Sequence, residues 1–161
     1  MNQVDLSKPE NRNFPAILRK QSIENGSGEF LVTDQRRLTF AEVDAVTDQL
    51  AGGLHSIGVE PNDRVALMLS NDVEMVLLAL AINKLGAMWT PINAEYKGEW
   101  LLDNLLRCRY KVLVVDDALQ NCVAAVQNKL ENETIVLVGD INQSTLNNPI
   151  DYESLRTSAA L

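Results

Sequence analysis

Asp116 and Asp117 stand side by side after the apolar run Val112-Leu113-Val114-Val115, and they are the one residue pair in the sequence with an obvious chemical reading. Adjacent carboxylates at a strand's end hold Mg²⁺ in phospho-acceptor receiver domains, but that chemistry also requires a third Asp roughly 45 residues on and a Lys beyond it. Only 44 residues follow Asp117 and the last lysine is Lys129, so the favoured reading is Asp117 as N-cap of the helix that follows. His55 needs a nucleophile or a metal partner to act as a base, and near the end of an amphipathic helix it is expected at the surface, toward the helix's negative end. Cys108 and Cys122 match no metal-ligand spacing, and with a single histidine no zinc site is expected; they read as buried thiols of a cytosolic protein. Trp89 and Trp100 could line a pocket, yet core packing is the expected role of each. A phosphate cradle needs a glycine-rich turn that lets backbone amides approach the anion, and neither GxGxxG, nor GxxxxGK followed by Ser or Thr, nor the GxSxG elbow is present. Gly26 and Gly28 fall on a polar turn, while Gly52 and Gly53 fall inside a helix, where close helix packing accounts for them.

The elements that must position these residues are legible from periodicity. After a polar tail over residues 1–13, Phe14, Ile17 and Leu18 sit at helical spacing, and Asn25-Gly26-Ser27-Gly28 ends that short helix. Glu29 to Thr33 and the segment around Leu38 read as two short extended pieces joined by Asp34-Gln35-Arg36. Thr39-Phe40-Ala41-Glu42 is a capping box with Leu38 and Val43 placed as a hydrophobic staple, and Val43, Val46, Leu50, Leu54 and Ile57 form one stripe closed by Gly58. Val65 to Leu69 is a continuous apolar run of the kind that a strand buried on both faces requires. Asn71 is placed to cap a helix from about Asp72 to Leu85, and Met88-Trp89-Thr90 is the next strand. Leu101, Leu102, Leu105 and Leu106 share a helical face, Val112 to Val115 make a third strand, and Leu119, Cys122, Val123, Val126 and Leu130 form a further stripe before a fourth strand at Ile135 to Val138. About four strands separated by crossover helices predict an α/β fold, a doubly wound and mostly parallel sheet over residues 14–138, followed by a polar segment 139–161.

Composition bounds the function. The 161 residues are 46% apolar and 22% charged, with a formal charge of −8. Six basic residues meet five acidic ones through Leu38, and eight meet seventeen thereafter, so the chain has no basic domain to track phosphate backbones and no nucleic-acid partner is expected. The N-terminus carries no secretion signal, and the longest apolar run, Val73 to Ile82, falls short of the roughly 20 residues that a membrane span needs; a cytoplasmic location is expected. The Asn-x-Ser/Thr triplets at Asn25, Asn132 and Asn142 are therefore read as chance.

Leu38-Thr39-Phe40-Ala41-Glu42-Val43, Gly58-Val59-Glu60-Pro61-Asn62-Asp63-Arg64-Val65-Ala66-Leu67 and Leu85 to Asn93 together resemble the opening of the adenylate-forming (AMP-binding) acyl-CoA synthetases. Asn62 stands where that family commonly has Gly, and Ala94-Glu95-Tyr96-Lys97-Gly98-Glu99 is similar to the wording of fatty-acid-CoA ligase-like and carnitine-CoA ligase-like members. The resemblance implies a two-step ligase of fatty-acid metabolism type, in which ATP and a carboxylic acid give an acyl-adenylate, and coenzyme A then displaces AMP. It implies ATP, Mg²⁺ and coenzyme A as cofactors of the full-length enzyme. The family's Gly-rich phosphate loop, Mg²⁺ residues and catalytic lysine have no counterpart in this sequence, so the chain is expected to be the N-terminal subdomain only, inactive alone and without tight cofactor binding. By alignment, the resemblance carries over one loop, Asn93, Ala94 and Glu95, as the coenzyme A side; no catalytic residue and no metal ligand transfers. The expected partners are the acid substrate, the remaining subdomains and, through surface left uncovered, a second copy of the chain, with Phe14, Ile17, Leu18, Ile150, Tyr152 and Leu155 expected at the exposed ends. The alternative is a self-contained binding or receiver-like regulatory module built on Asp116 and Asp117.

Overall fold

A computed structural model of the chain describes residues 8–9, 12–70, 72–131, 134–157 and 159–160. Asn13 caps the first helix, α1 (Phe14–Glu24), by accepting the Ala16 N–H at 2.8 Å. A hairpin follows, β1 (Glu29–Val32) paired antiparallel with β2 (Arg37–Thr39). Thr39 then opens α2 (Phe40–Ser56) with the capping box expected: the Glu42 N–H reaches Thr39 Oγ1, and the Thr39 N–H reaches Glu42 Oε2. The Thr39 backbone amide, then its hydroxyl, hold the Glu42 carboxyl below its ordinary pKa. Gly58, at φ +93°, turns the chain after the helix.

The sheet is built from β3 (Arg64–Met68), β4 (Met88–Pro91), β5 (Val112–Asp116), β6 (Ile135–Val138) and β7 (Ile150–Asp151), all parallel, in the order β4-β3-β5-β6-β7. Alternation along each strand feeds two cores. Val65, Leu67, Val112, Val114 and Val136 face one layer, formed with α1, α2, α3 (Val73–Lys84) and α6 (Tyr152–Arg156). Ala66, Met68, Leu113, Val115, Ile135 and Leu137 face the other, formed with α4 (Gly98–Cys108) and α5 (Gln120–Ala124). Every one of these strand residues is fully buried, which is why the strands read as unbroken apolar runs. A fully buried Leu such as Leu67 contributes about 1.5–3 kcal/mol by leaving water. The doubly wound α/β architecture is as expected from the sequence. Among the described residues no helix is long and apolar enough to cross a membrane.

Four expectations change. The sheet has a fifth strand, β7, drawn from the stretch read as a polar C-terminal segment. The apolar stripe from Leu119 to Leu130 is not one helix: α5 is a short segment between 3-10 turns at Asp117–Leu119 and Gln127–Lys129, because the chain tightens to i→i+3 bonds such as Val126 N–H to Val123 C=O. The side-chain amide of buried Gln127 holds both backbone groups of Asn147 there, at 3.0 and 2.9 Å. Asp72, not Asn71, caps α3; Asn71 lies outside the described residues, as do Asn132 and residues 1–7 and 10–11 of the tail. Finally, Phe14 is exposed as expected, but Leu18, Tyr152 and Leu155 are buried and Ile17 and Ile150 half-buried, because α1 and α6 pack on α2.

Asn62 and Arg109 are among the left-handed residues that mark turns. Asn62, at φ +72°, occupies a conformation that Gly adopts without a Cβ clash, which accounts for the family's Gly at that place. Arg109 ends α4 at φ 50°, ψ 46° with a side chain that has no such tolerance. Arg109→Gly is expected to raise stability by about 1 kcal/mol, read as a higher midpoint in thermal or urea unfolding; an unchanged or lower midpoint contradicts this account of the turn.

Candidate functional site

All strands of a parallel sheet end at one edge, and where the order reverses the connections leave to opposite faces and open a crevice. Here the reversal lies between β3 and β5: the chain leaves β3 for β4 through α3 on one face, and returns from β4 to β5 through α4 on the other. Asp116 stands in that crevice at the end of β5. Its Oδ2 accepts the Ser70 N–H from the loop after β3 at 2.5 Å, and its Oδ1 accepts the Leu119 N–H at 3.1 Å. Asp116 is therefore the N-cap of the following turn, one residue before the expected Asp117, because it is the residue still extended at φ −84°, ψ 162°. Asp117 Oδ1 accepts from the Gln120 side-chain amide, and the Asp117 side chain lies so close to Gly139 that a Cβ there would sit 2.6 Å from Asp117 Cβ. Gln120, itself buried, uses its Oε1 to accept the Thr145 N–H at 2.9 Å. Both oxygens of Asp116 are thus engaged by backbone donors, an arrangement that ties the loops after β3 and β5 together. Among the described residues no group of three His, Cys, Asp or Glu could hold a metal ion.

The Asn93, Ala94, Glu95 loop leaves the end of β4 at this same edge. The Ile92 N–H extends the strand pairing to Leu67 C=O at 2.8 Å; Asn93 Oδ1 then accepts the Glu95 N–H at 2.9 Å, and the Asn93 carbonyl accepts the Tyr96 N–H at 3.1 Å. This is an Asx turn, which fixes the loop while leaving Asn93 and Glu95 exposed and Ala94 half-buried.

The remaining candidates scatter. His55 sits in the last turn of α2, exposed, its Nδ1 3.7 Å from Glu60 and 3.4 Å from the Val59 carbonyl oxygen, as expected of a surface histidine. Trp89 and Trp100 do not pack in the core: they are 40% and 74% exposed, on edge strand β4 and on the outer face of α4. The free thiols of Cys108 and Cys122 are half-buried, not buried. Gly52 and Gly53 do serve close packing, since a Cβ at Gly52 would lie 1.9 Å from the Ala159 carbonyl oxygen and one at Gly53 would lie 2.4 Å from that of Leu155.

Two features carried no signal in the linear sequence because their parts are distant in it. Arg36, at the hairpin, pairs with Glu74 of α3 at 2.5 Å across 38 positions. Tyr152 buries a hydroxyl that has no hydrogen-bond partner among the described residues; burial, then the nearby Glu74 carboxylate, push its pKa well above the ordinary value. Tyr152→Phe is expected to stabilise the fold by about 1 kcal/mol, since it removes a polar group whose desolvation nothing offsets. A loss of stability in chemical denaturation would show that the hydroxyl is paired.

The model of the AMP-binding enzyme family matches residues 18–159. The chain is 30% identical over 120 residues, 74% of its own length, to the medium/long-chain-fatty-acid–CoA ligase FadD6 of Mycobacterium tuberculosis, of which it spans 20%. It is 29% identical over 111 residues, 69% of its length, to tyrocidine synthase 3 of Brevibacillus parabrevis, of which it spans 2%. In structure it is similar to the anthranilate CoA ligase AuaEII, solved with anthranoyl-AMP, at a TM-score of 0.81 and 25% identity over 92% of this chain and 29% of that one. The chain therefore spans a minor part of each of these proteins.

Proposed function

Because the chain belongs to the AMP-binding enzyme family, we propose that it forms the N-terminal α/β subdomain of an ATP-dependent acyl-CoA synthetase, which joins a carboxylic acid to coenzyme A through an acyl-adenylate. The family match across residues 18–159, on a chain that spans 20% of a fatty-acid–CoA ligase, carries this reading. A medium- or long-chain fatty acid is the substrate class we favour, from the likeness to that ligase, and the cytoplasm is the proposed location. The chain supplies scaffold and does not catalyse alone. Adenylation must stabilise charge developing on a phosphate with preorganised donors and a metal. The described residues do not fit ATP and Mg²⁺: among them no group of three His, Cys, Asp or Glu could hold a metal ion, and the Asp116 carboxylate is spent on tying the loops after β3 and β5 together. No step through those groups is assigned to this chain.

The Asn93-Ala94-Glu95 turn is the coenzyme A side of this reading, supported by its place at the sheet edge where ligands of such sheets bind. The open backbone edge of β4, with Met88 and Trp89 exposed, is the proposed seat of self-association. Incubation with ATP, Mg²⁺, coenzyme A and a panel of fatty acids is expected to release pyrophosphate at the blank rate; turnover by the purified chain would overturn the subdomain reading. Coenzyme A titrated against isotopically labelled protein should move the amide signals of Asn93, Ala94 and Glu95 before any others, and shifts elsewhere would remove the loop from the site.

A further inference from the structure

We propose that the cleft between the β1–β2 hairpin tip and the first turn of α3 docks a segment of another protein that presents a Lys or Arg beside an aliphatic side chain. The cleft encloses about 390 Å³; Leu31, Val73 and Val76 give it an apolar floor, and Asp34 and Asp72 stand on its polar rim. Among the described residues no lysine or arginine lines it, and the nearby Arg36 is already paired with Glu74 at 2.5 Å. The positive end of α3 is offset in part, since Asp72 Oδ1 accepts the Val73 N–H at 2.6 Å. The rim therefore offers two carboxylates without a lining cation, above a floor that gains by leaving water. A cation with an apolar stem satisfies both, and the chain's net charge of −8 draws basic partners toward it. A protein segment suits the site better than a free amine, because Thr33, Asp34 and Gln35 are exposed at the tip and an extended partner covers rim and floor together.

The proposal does not depend on the ligase reading and is tested without ATP or coenzyme A. The probes are an acetylated peptide Leu-Lys-Ala-Leu-Arg-Lys-Leu, its counterpart with Glu at each basic position, and n-hexylamine. The readout is the methyl NMR signals of Val73 and Val76. The basic peptide is expected to shift both saturably, and the acidic one is expected to leave them in place. The double variant Asp34→Asn/Asp72→Asn removes both charges while keeping an N-cap side chain on α3. It should bind the basic peptide about tenfold more weakly, the sum of two exposed ion pairs. Equal shifts from both peptides, an unchanged affinity in the double variant, or no shift at millimolar peptide overturns the proposal. Hexylamine binding as tightly as the peptide assigns the cleft to a free cation instead, and shifts that follow protein concentration without peptide assign it to a second copy; either result also overturns it.

Discussion

Lys84→Met is expected to cost about 3–5 kcal/mol of folding stability, the largest effect of any single substitution considered. Lys84 ends α3 with its ammonium between two carboxylates of α2, 2.7 Å from Asp44 and 2.7 Å from Asp48, and it also donates to the Asp44 carbonyl at 2.8 Å. Arg19 of α1 closes the cluster from outside, at 2.8 Å from Asp44 and 2.6 Å from Asp48. The side chains of Lys84 and Asp44 are 8% and 3% exposed, so removal of the ammonium leaves two carboxylates, one of them buried, to share Arg19 alone. Methionine keeps the length of the apolar stem, which isolates the charge from the packing. The loss should depend on pH. Burial acts to raise the Asp48 pKa, but the hydrogen bonds from Lys84 and then Arg19, with their charges, outweigh it and hold the group below its ordinary 3.8. A carboxylate with a depressed folded pKa contributes stability that is present above 3.8 and is lost as pH falls through the folded value. The gap between Lys84→Met and the parent protein should therefore narrow in acid. Urea unfolding at pH 7 and at pH 3 measures both; a gap below 1 kcal/mol at neutral pH, or one that widens in acid, removes the cluster from the account of stability.

Gly53→Ala is expected to destabilise by about 2–3 kcal/mol, although alanine is the better helix former by up to about 1 kcal/mol in an open helix. The added methyl would lie 2.4 Å from the Leu155 carbonyl oxygen and 2.6 Å from Leu155 Cα, both belonging to the backbone of α6, which cannot rotate away as a side-chain tip would. The protein has two ways to respond. It can strain the contact, or it can release α6 and expose Tyr152 and Leu155, which are 3% and 2% exposed. Release forfeits roughly 1.5–3 kcal/mol for each, so the strain cannot exceed that sum. Hydrogen exchange distinguishes the two responses: release predicts loss of protection over residues 150–157 while α2 and β3 keep theirs. A variant more stable than the parent, with α6 still protected, would show that the close approach carries no weight.

The sequence by itself determined most of the elements up to β6, and the family. Val65 to Met68, Val112 to Val115 and Ile135 to Val138 could be recognised as two-sided strands because both of their faces need apolar partners, and the Thr39 capping box was legible because its four residues are contiguous. The Asn93 loop was located by the family resemblance alone, and its Asx turn is seen only in the structure. What depends on residues far apart in the chain was decided by the tertiary structure alone. Four strands can be ordered in many ways, and only their packing set β3 against β5 and brought Ser70 to Asp116. The tail from Ile150 to Arg156 has too few apolar residues to announce a strand and a helix, and it forms them because the sheet edge and the glycines of α2 receive it. Trp89 and Trp100 went the other way: hydrophobicity favours burial of an indole, but β4 is an edge strand among the described residues and Trp100 lies on the outer face of α4, so both remain exposed. Local interactions are written in consecutive side chains; strand order, the ion cluster around Lys84 and the cleft beside α3 arise from loop closures over tens of residues, whose favourable contacts exist only after the chain has folded.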